Sequence, residues 1–195
     1  MENTWDIRYS GKNFIYGKTP NVFFKSNIDE LPKGKVLLPA EGEGRNAVYA
    51  AKQGWDVHAF DSSKVAKDKA LSLAAENNVT IDYSINSFED YLLKEDFFDV
   101  VGLFYAHQKS HFEFHQKLIK GLKKNGLIIL EAFTKQQLQY SSGGPKDEQM
   151  LYSVEELQKD FVGLSDLQIW EEEIMLSEGD GHKGKASVVR VIGRK

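Results

Sequence analysis

The chain has 195 residues, a length typical of one domain with its own hydrophobic core. The net charge of −4 gives no basic face for nucleic acid. The lack of cysteine excludes disulfides and thiolate metal sites, and no apolar run is long enough to cross a membrane. We therefore expect a single cytoplasmic domain over residues 1–195, with neither nucleic acid nor a membrane as its partner.

The N-terminal segment, residues 1–33, is rich in aromatic side chains, including Trp5, Tyr9 and Tyr16. Two interpretations are open. The segment packs a helix and a loop against the core, or it forms a flap over a bound ligand. In either case we predict a cap segment that precedes the first strand.

Residues 36–61 carry the most informative pattern in the chain. An apolar run predicts a strand over 36–39, apolar residues on a helical spacing predict a helix over 45–53, and a second strand follows at 56–60. Asp61 lies at the carboxyl end of this second strand. A glycine turn after a first strand, with an acid about 20 residues further on, holds a nucleoside in doubly wound folds. We therefore predict an adenosine-containing cofactor.

The loop before the first of these helices distinguishes two kinds of cofactor. Gly42 and Gly44 fit the dinucleotide pattern, but Ala40 takes the small-residue position directly after the strand. Glu41 and Glu43 lie inside the loop, and two carboxylates at a helix N-terminus disfavour a pyrophosphate. They suit a ligand that carries an ammonium group and a sulfonium. The loop thus favours S-adenosylmethionine, with a dinucleotide as the alternative.

The rest of the chain alternates helices and strands. Ser62 or Ser63 caps a helix that runs to Asn77, and a capping box at Ser153 opens a helix that runs to residue 161. We further predict a helix at 111–122, strands at 80–85, 100–105, 127–132, 167–173 and 186–193, a turn at 123–126 and a glycine-rich loop at 177–185. This order predicts an α/β fold with a doubly wound, mostly parallel sheet and a late antiparallel strand.

Several motifs now support a resemblance to a known family. They are G-E-G-R-N-A at residues 42–47, D-V-x-A-x-D at 56–61, F-D-V-V at 98–101 and G-L-K-x-x-G at 121–126. With these motifs the chain resembles the class I S-adenosylmethionine-dependent methyltransferases, and within them the tellurite-resistance and thiopurine methyltransferase group. The resemblance implies a methyltransferase with a Rossmann-like sheet of seven strands in the order 3-2-1-4-5-7-6.

The resemblance also implies a cofactor site. Asp61 would hold the ribose, residues 86–88 would surround the adenine, and residues 41–44 would contact the methionine part. Three positions depart from the family pattern, since Leu38 is usually acidic, Ala40 is usually glycine and Asn86 is often aspartate. The predicted cofactor-binding residues are Glu41, Gly42, Glu43, Gly44, Arg45, Asn46, Asp61, Ser62, Asn86, Ser87, Phe88 and Phe104.

Methyl transfer from a sulfonium is a direct displacement, so the protein mainly orients the acceptor and excludes water. Tyr105 and His107 follow the fourth strand, where the family faces the methyl group, and His182 lies in the late glycine-rich loop. We predict these three as catalytic residues, with His107 as general base for an acceptor that has a proton to lose. His111 and His115 share a helix face, but with no third ligand beside them we expect a solvated face and no metal.

The function predicted from the sequence is methyl transfer to a small-molecule acceptor, because a short chain without an inserted recognition domain favours a small substrate. Two alternatives stay open. One is a dinucleotide-binding oxidoreductase or redox sensor. The other is a protein that binds S-adenosylmethionine without catalysis.

Overall fold

A computed structural model of the protein describes residues 3–195, so Met1 and Glu2, the start of the predicted cap segment, lie outside the described residues. The helices are α1 (Thr4–Tyr9), α2 (Val22–Ile28), α3 (Arg45–Lys52), α4 (Lys64–Glu76), α5 (His111–Gly121) and α6 (Val154–Asp160). The strands are β1 (Lys35–Pro39), β2 (Asp56–Asp61), β3 (Asp82–Ile85), β4 (Phe98–Phe104), β5 (Leu122–Phe133), β6 (Ser165–Glu178) and β7 (His182–Arg194). Within residues 3–195 there is no helix long and apolar enough to span a membrane.

The strands form one sheet in the order β3-β2-β1-β4-β5-β7-β6, which confirms the predicted fold. The first five strands pair in parallel, while β7 runs antiparallel to both of its neighbours, β5 and β6. The strand order reverses between β1 and β4. In doubly wound sheets the crevice outside the carboxyl ends of the strands at such a reversal is where ligands bind.

The two central strands are buried on both faces, because helices cover each side of the sheet. Leu37 and Val101 pack with α5 and α6 on one face, whereas Val36 and Val100 pack with α2 and α3 on the other. Gly102 lets β4 and β1 pack closely, since a Cβ there would lie 2.8 Å from the Leu38 side chain. A strand that is covered on both faces needs apolar side chains at successive positions, which explains the continuous apolar run of β4.

Two helices begin at serine N-caps that the sequence predicted. The Ser63 hydroxyl, and not that of Ser62, caps α4 by accepting a hydrogen bond from the Ala66 N–H at 3.0 Å. The predicted capping box of α6 forms between Ser153 and Glu156. Both caps satisfy N–H groups that a helix start leaves without partners.

The predicted turn at 123–126 lies inside β5, which begins at Leu122. Asn125 takes a left-handed φ of 66°, so the chain does bend there, and the pairing of β4 with β5 changes register between Phe98 and Val100. Lys195 holds the bent segment in the sheet, because Asn125 donates to its carbonyl at 2.8 Å and Lys195 donates to Gly126 at 3.0 Å.

The predicted loop at 177–185 is also mostly strand. β6 and β7 pair continuously up to Glu178 and His182, and only a tight turn with a left-handed Gly179 joins them. The glycines of this segment support a narrow hairpin tip and not a long loop. As a result His182 is a buried strand residue at the carboxyl edge of β5.

Candidate active site

A cavity of about 510 Å³ opens at the carboxyl edge of the sheet, where the strand order reverses. It is lined by every predicted site residue except Gly44. Gly44 instead begins α3 with a left-handed φ of 87°, and a Cβ there would lie 2.6 Å from that of Ala70. The predicted residues in the lining are Glu41, Gly42, Glu43, Arg45, Asn46, Asp61, Ser62, Asn86, Ser87, Phe88, Phe104, Tyr105, His107 and His182.

Asp61 is buried at the end of β2, and two backbone groups hold its carboxylate in place. One oxygen accepts from the Gly42 N–H at 3.0 Å and the other accepts from the Ser63 N–H at 2.9 Å. Burial raises the pKa of this carboxyl, although these N–H groups oppose the shift. Each oxygen keeps one lone pair for a ligand, so a pair of vicinal hydroxyls can donate to the two oxygens.

Glu41 caps α3 through its side chain, a role that the sequence analysis did not anticipate. One carboxylate oxygen accepts from the N–H groups of Asn46, at 2.8 Å, and Ala47, at 2.7 Å. Burial raises the pKa of this carboxyl to about 7, against the opposing effect of those N–H groups and of Arg45. Glu41 thus lies at the helix N-terminus as predicted, with this oxygen bound to the start of α3, and its contact with a cofactor stays a prediction.

Glu43 is likewise bound to protein groups and not free for a ligand. Its side chain, 4% exposed, accepts from the Ile15 N–H at 2.8 Å and pairs with Lys69 at 2.7 Å. Arg45 makes a second tie, donating to the Tyr16 carbonyl at 3.2 Å and to Glu178 at 3.0 Å. Together these contacts hold Ile15 and Tyr16 of the N-terminal segment against the glycine loop, residues 41–44, and the start of α3.

The residues predicted around the adenine lie beyond the end of β3. Asn86 donates its backbone N–H to the carbonyl of Asp61 at 3.0 Å, which ties this loop to β2. The Phe88 ring packs against Phe60 and Phe114, with ring centroids 6.2 Å and 4.5 Å away. Phe88 and Phe60 both face the cavity, so they form an apolar wall next to Asp61.

His107 has no free ring nitrogen. Nδ1 lies 2.7 Å from the carbonyl of Met150, and Nε2 accepts from the Phe133 N–H at 3.1 Å. Burial lowers the pKa of this imidazole to about 4. The predicted general base at His107 is thus wrong on geometric grounds, because the neutral ring uses one nitrogen as a donor and the other as an acceptor.

His182, unlike His107, has one ring nitrogen without a hydrogen-bond partner among the described residues. Its Nδ1 lies 3.0 Å from Glu178, which can only accept, so Nδ1 carries the proton. Nε2 has no protein partner among the hydrogen bonds of residues 3–195. Burial lowers the pKa of His182 although Glu178 opposes the shift, and the rings of Tyr16 and Tyr105 hold the imidazole at centroid distances of 4.5 Å and 4.4 Å.

Tyr105 directly follows β4 in a left-handed conformation, with φ of 55°, and is fixed by a buried polar network. Its hydroxyl donates to Glu131 at 2.8 Å, and Glu131 also pairs with Arg190 at 2.7 Å. Asn21 donates to Glu131 at 2.6 Å and to Glu178 at 3.1 Å, which joins this network to that of His182. The buried carboxylates are therefore compensated by arginine and amide donors.

The cavity also has walls that the site prediction did not include. Residues of α1 and its loop close one side, and the segment between β5 and α6 closes another. The N-terminal aromatic residues and the glycine turn at 143–144 were signals for these walls, whereas nothing in the sequence pointed to Phe133 or Met150. The added residues are Trp5, Arg8, Tyr9, Tyr16, Gly17, Ala40, Phe60, Ala106, Phe133, Gly144, Pro145, Lys146, Asp147 and Met150.

The stability of the ligand-free protein is expected to depend on pH through Glu41. The folded state holds this proton up to about pH 7, while the unfolded chain loses it near 4.5. Between these values the folded state binds more protons, so the Glu41 contribution to the free energy of unfolding falls as pH rises. Glu41→Gln removes the titration and keeps an oxygen that can accept from α3.

Urea unfolding of wild type and Glu41→Gln at pH 4.5 to 8 measures this effect. We expect the variant to gain stability relative to wild type as pH rises through the window. A difference that is constant with pH would contradict the assigned titration.

The solvated helix face predicted for His111 and His115 is wrong, because both rings lie against α6 and only His111 is partly exposed. His115 is 1% exposed, and both rings contact Asp160 at the end of α6. The third group that was missing from the local sequence comes from a helix that packs against α5. These residues lie outside the cavity lining.

Residues 36–126 match the family model described as a methyltransferase domain. A tRNA (uracil(54)-C(5))-methyltransferase of Pyrococcus abyssi is 30% identical over 143 residues, which covers 63% of this chain and 34% of that protein. A ubiquinone biosynthesis O-methyltransferase of Rickettsia bellii is 28% identical over 121 residues, covering 61% of this chain and 50% of that protein. The chain thus spans a third to a half of the length of these curated relatives.

Solved structures share the fold over nearly the whole chain. TehB from Haemophilus influenzae superposes with a TM-score of 0.71 at 14% identity, covering 98% of this chain and 65% of that one. Phosphoethanolamine N-methyltransferase 2 of Haemonchus contortus, solved in complex with S-adenosyl-L-methionine, gives a TM-score of 0.71 at 16% identity, covering 98% and 56%. At these identities the likeness establishes the fold alone, a Rossmann-like sheet of seven strands shared with these structures.

Proposed function

We propose that this protein, which has the class I methyltransferase fold, binds S-adenosylmethionine and transfers its methyl group to a small-molecule acceptor. The observation that carries the proposal is the arrangement at the end of β1 and β2. There a buried Asp61 faces the cavity with two unused lone pairs, and Glu41 occupies the N-terminus of α3. The match of residues 36–126 to a methyltransferase domain supports the same conclusion.

The Glu41 cap argues against a dinucleotide. A pyrophosphate in a doubly wound fold binds the free N–H groups at the first helix N-terminus. Here the N–H groups of Asn46 and Ala47 already donate to the Glu41 carboxyl, so they are not free for a pyrophosphate. Above its pKa of about 7 this carboxyl would also repel a phosphate. A cofactor with an ammonium and a sulfonium group favours the ionised form of Glu41 and gains from its negative charge, so the acid that disfavours one ligand attracts the other.

We assign the proton-accepting role to His182 and not to His107. Methyl transfer needs a base only when the acceptor carries a proton, and the free Nε2 of His182 lies on the cavity wall. Glu178 holds the ring with its proton on Nδ1, as the carboxylate of a catalytic dyad does. Tyr105 and the locked ring of His107 then serve as walls that position the acceptor.

The size and walls of the cavity favour a small acceptor. A volume of about 510 Å³ is in the range of pockets for single small ligands, so the cofactor leaves room for only a compact second molecule. Aromatic rings from Tyr16, Tyr105 and Phe133 line the cavity and suit an acceptor with apolar surface. The tRNA methyltransferase relative makes RNA the competing acceptor class, and the net charge of −4 weighs against it.

Transfer of a labelled methyl group tests this function. The full chain is incubated with methyl-labelled S-adenosylmethionine and separate pools of phenols, thiols, amines, oxyanions of selenium and tellurium, and tRNA. We expect label in a small-molecule pool and none in tRNA. Label in tRNA alone would overturn the acceptor class, and cofactor binding without label in any pool would support a non-catalytic binding protein.

A further inference from the structure

We propose that His111, His115 and Asp160 bind a divalent transition-metal ion of the zinc class. His111 and His115 lie one turn apart on α5, and Asp160 is the last residue of α6. The Nδ1 atoms of the two rings lie 2.5 Å and 2.7 Å from the same Asp160 oxygen, Oδ2. The three potential ligand atoms lie within 4.8 Å of one another.

The donor set fits zinc. Two imidazole nitrogens and one carboxylate oxygen, completed by a water, make a common four-coordinate site. Bonds of about 2.0–2.2 Å to the ion place neighbouring ligands about 3.3–3.6 Å apart in a tetrahedron. The Asp160 oxygen and the two Nδ1 atoms must therefore separate by about 0.6–1.1 Å to admit an ion. Rotation of the Asp160 carboxylate together with the partly exposed His111 ring would supply this movement.

The charge at the cluster points to a cation. Asp160 is 3% exposed, and within residues 3–195 no lysine or arginine pairs with it. The two imidazoles contact this carboxylate and supply a counter-charge only when they are protonated. Since a buried charge is costly without a counter-charge, a bound divalent cation would complete the site.

Neighbouring groups hold the cluster in its geometry. The His115 ring stacks on Phe161 at 4.9 Å, and the His111 ring packs on Tyr152 at 4.8 Å. Gln116 donates its side-chain amide to the Asp160 carbonyl. The side chain of His111 is 14% exposed, which leaves a route for the ion from solvent.

The ion would have a structural role. It would join α5 to the end of α6, and the adjoining Tyr152 hydroxyl contacts the cavity wall by donating to the Ala106 carbonyl at 3.1 Å. The cluster itself does not line the cavity. We therefore expect the ion to stiffen one wall of the acceptor site and to take no part in the chemistry there.

Calorimetric titration of the EDTA-treated full chain with ZnCl₂ tests the site. We expect one Zn²⁺ per chain, binding weakened by more than about 100-fold in His111→Gln and in Asp160→Asn, and unchanged binding in His58→Gln. His58 is the matched control, because it also pairs with an aspartate, Asp82, but belongs to no three-ligand cluster. Circular dichroism of each variant verifies folding.

Imidazole NMR of the wild type makes the test independent of variants that fail to fold. We expect Zn²⁺ to shift the ring signals of His111 and His115 and to leave those of His58 in place. The proposal is overturned if wild type binds no Zn²⁺, if binding persists in folded His111→Gln, or if Zn²⁺ shifts only other histidines.

Discussion

Replacing His182 by alanine is expected to lower kcat by about 100- to 10,000-fold with an acceptor that must lose a proton, the usual effect of removing a general base. The expectation rests on the free Nε2 of a neutral ring that Glu178 orients and that faces the cavity. Affinity for S-adenosylhomocysteine should stay near that of wild type, because His182 makes no contact with Asp61 or the glycine loop.

Steady-state kinetics at saturating cofactor, with the dissociation constant of S-adenosylhomocysteine measured by calorimetry, separates the two effects. His58→Gln serves as the control, since that ring lies outside the cavity lining. In wild type kcat should fall at low pH as His182 gains a proton, and His182→Ala should lose this dependence. A folded variant with full turnover of a proton-bearing acceptor, or with lost cofactor binding, would remove His182 from this role.

Replacing Asp61 by alanine is expected to weaken S-adenosylhomocysteine binding by about 10- to 150-fold, the 1.5–3 kcal/mol of a lost charged hydrogen bond. Both carboxylate oxygens have an unused lone pair at the cavity, and the Gly42 and Ser63 N–H groups fix their direction. Asp61→Asn keeps one carbonyl oxygen and should fall between wild type and the alanine variant.

Asp56→Ala is the matched control for this measurement. Asp56 begins the same strand at the opposite edge of the sheet, where it is exposed and pairs with Lys35. We expect calorimetry to give wild-type affinity for this variant. Unchanged affinity in folded Asp61→Ala would refute the ribose assignment.

The parallel strands and their helices could be predicted because short-range patterns determine each of them, whereas the order of the sheet followed from the family resemblance. An apolar run such as 100–104 indicates a strand covered on both faces, and a capping serine or a glycine marks the adjoining helix ends. The C-terminal hairpin was harder to predict. Its glycines resemble those of a flexible loop, and only pairing along the whole of β6 and β7 makes residues 177–185 a strand and a narrow turn.

The lining of the cavity was largely predictable, since ligand residues in this fold follow the carboxyl ends of strands. The hydrogen-bond partners of each side chain could not be predicted, because they are distant in sequence. Glu41 lies in the predicted loop, but its carboxylate binds the start of α3. His107 lies in the cavity wall, but the Met150 carbonyl and the Phe133 N–H occupy both of its nitrogens. The roles of these residues toward a cofactor stay predictions.

The same limit applies to the histidines of α5. Their spacing indicated a shared helix face, and helical periodicity alone could not reveal what that face contacts. Asp160 supplies the third group from a helix 45 residues further along the chain, as counted from His115. A ligand set that spans two helices therefore appears only after the chain is folded.

A thermal melt with S-adenosylhomocysteine and, separately, NADH tests the central claim most directly. Ligand at 100 times its dissociation constant adds about 2.7 kcal/mol to the free energy of unfolding, which raises the melting temperature of a domain of this size by about 5–10 °C. We predict this rise with S-adenosylhomocysteine and no rise with NADH. A rise with NADH and none with S-adenosylhomocysteine would contradict the account, because it would mean that the Glu41 cap does not exclude a pyrophosphate.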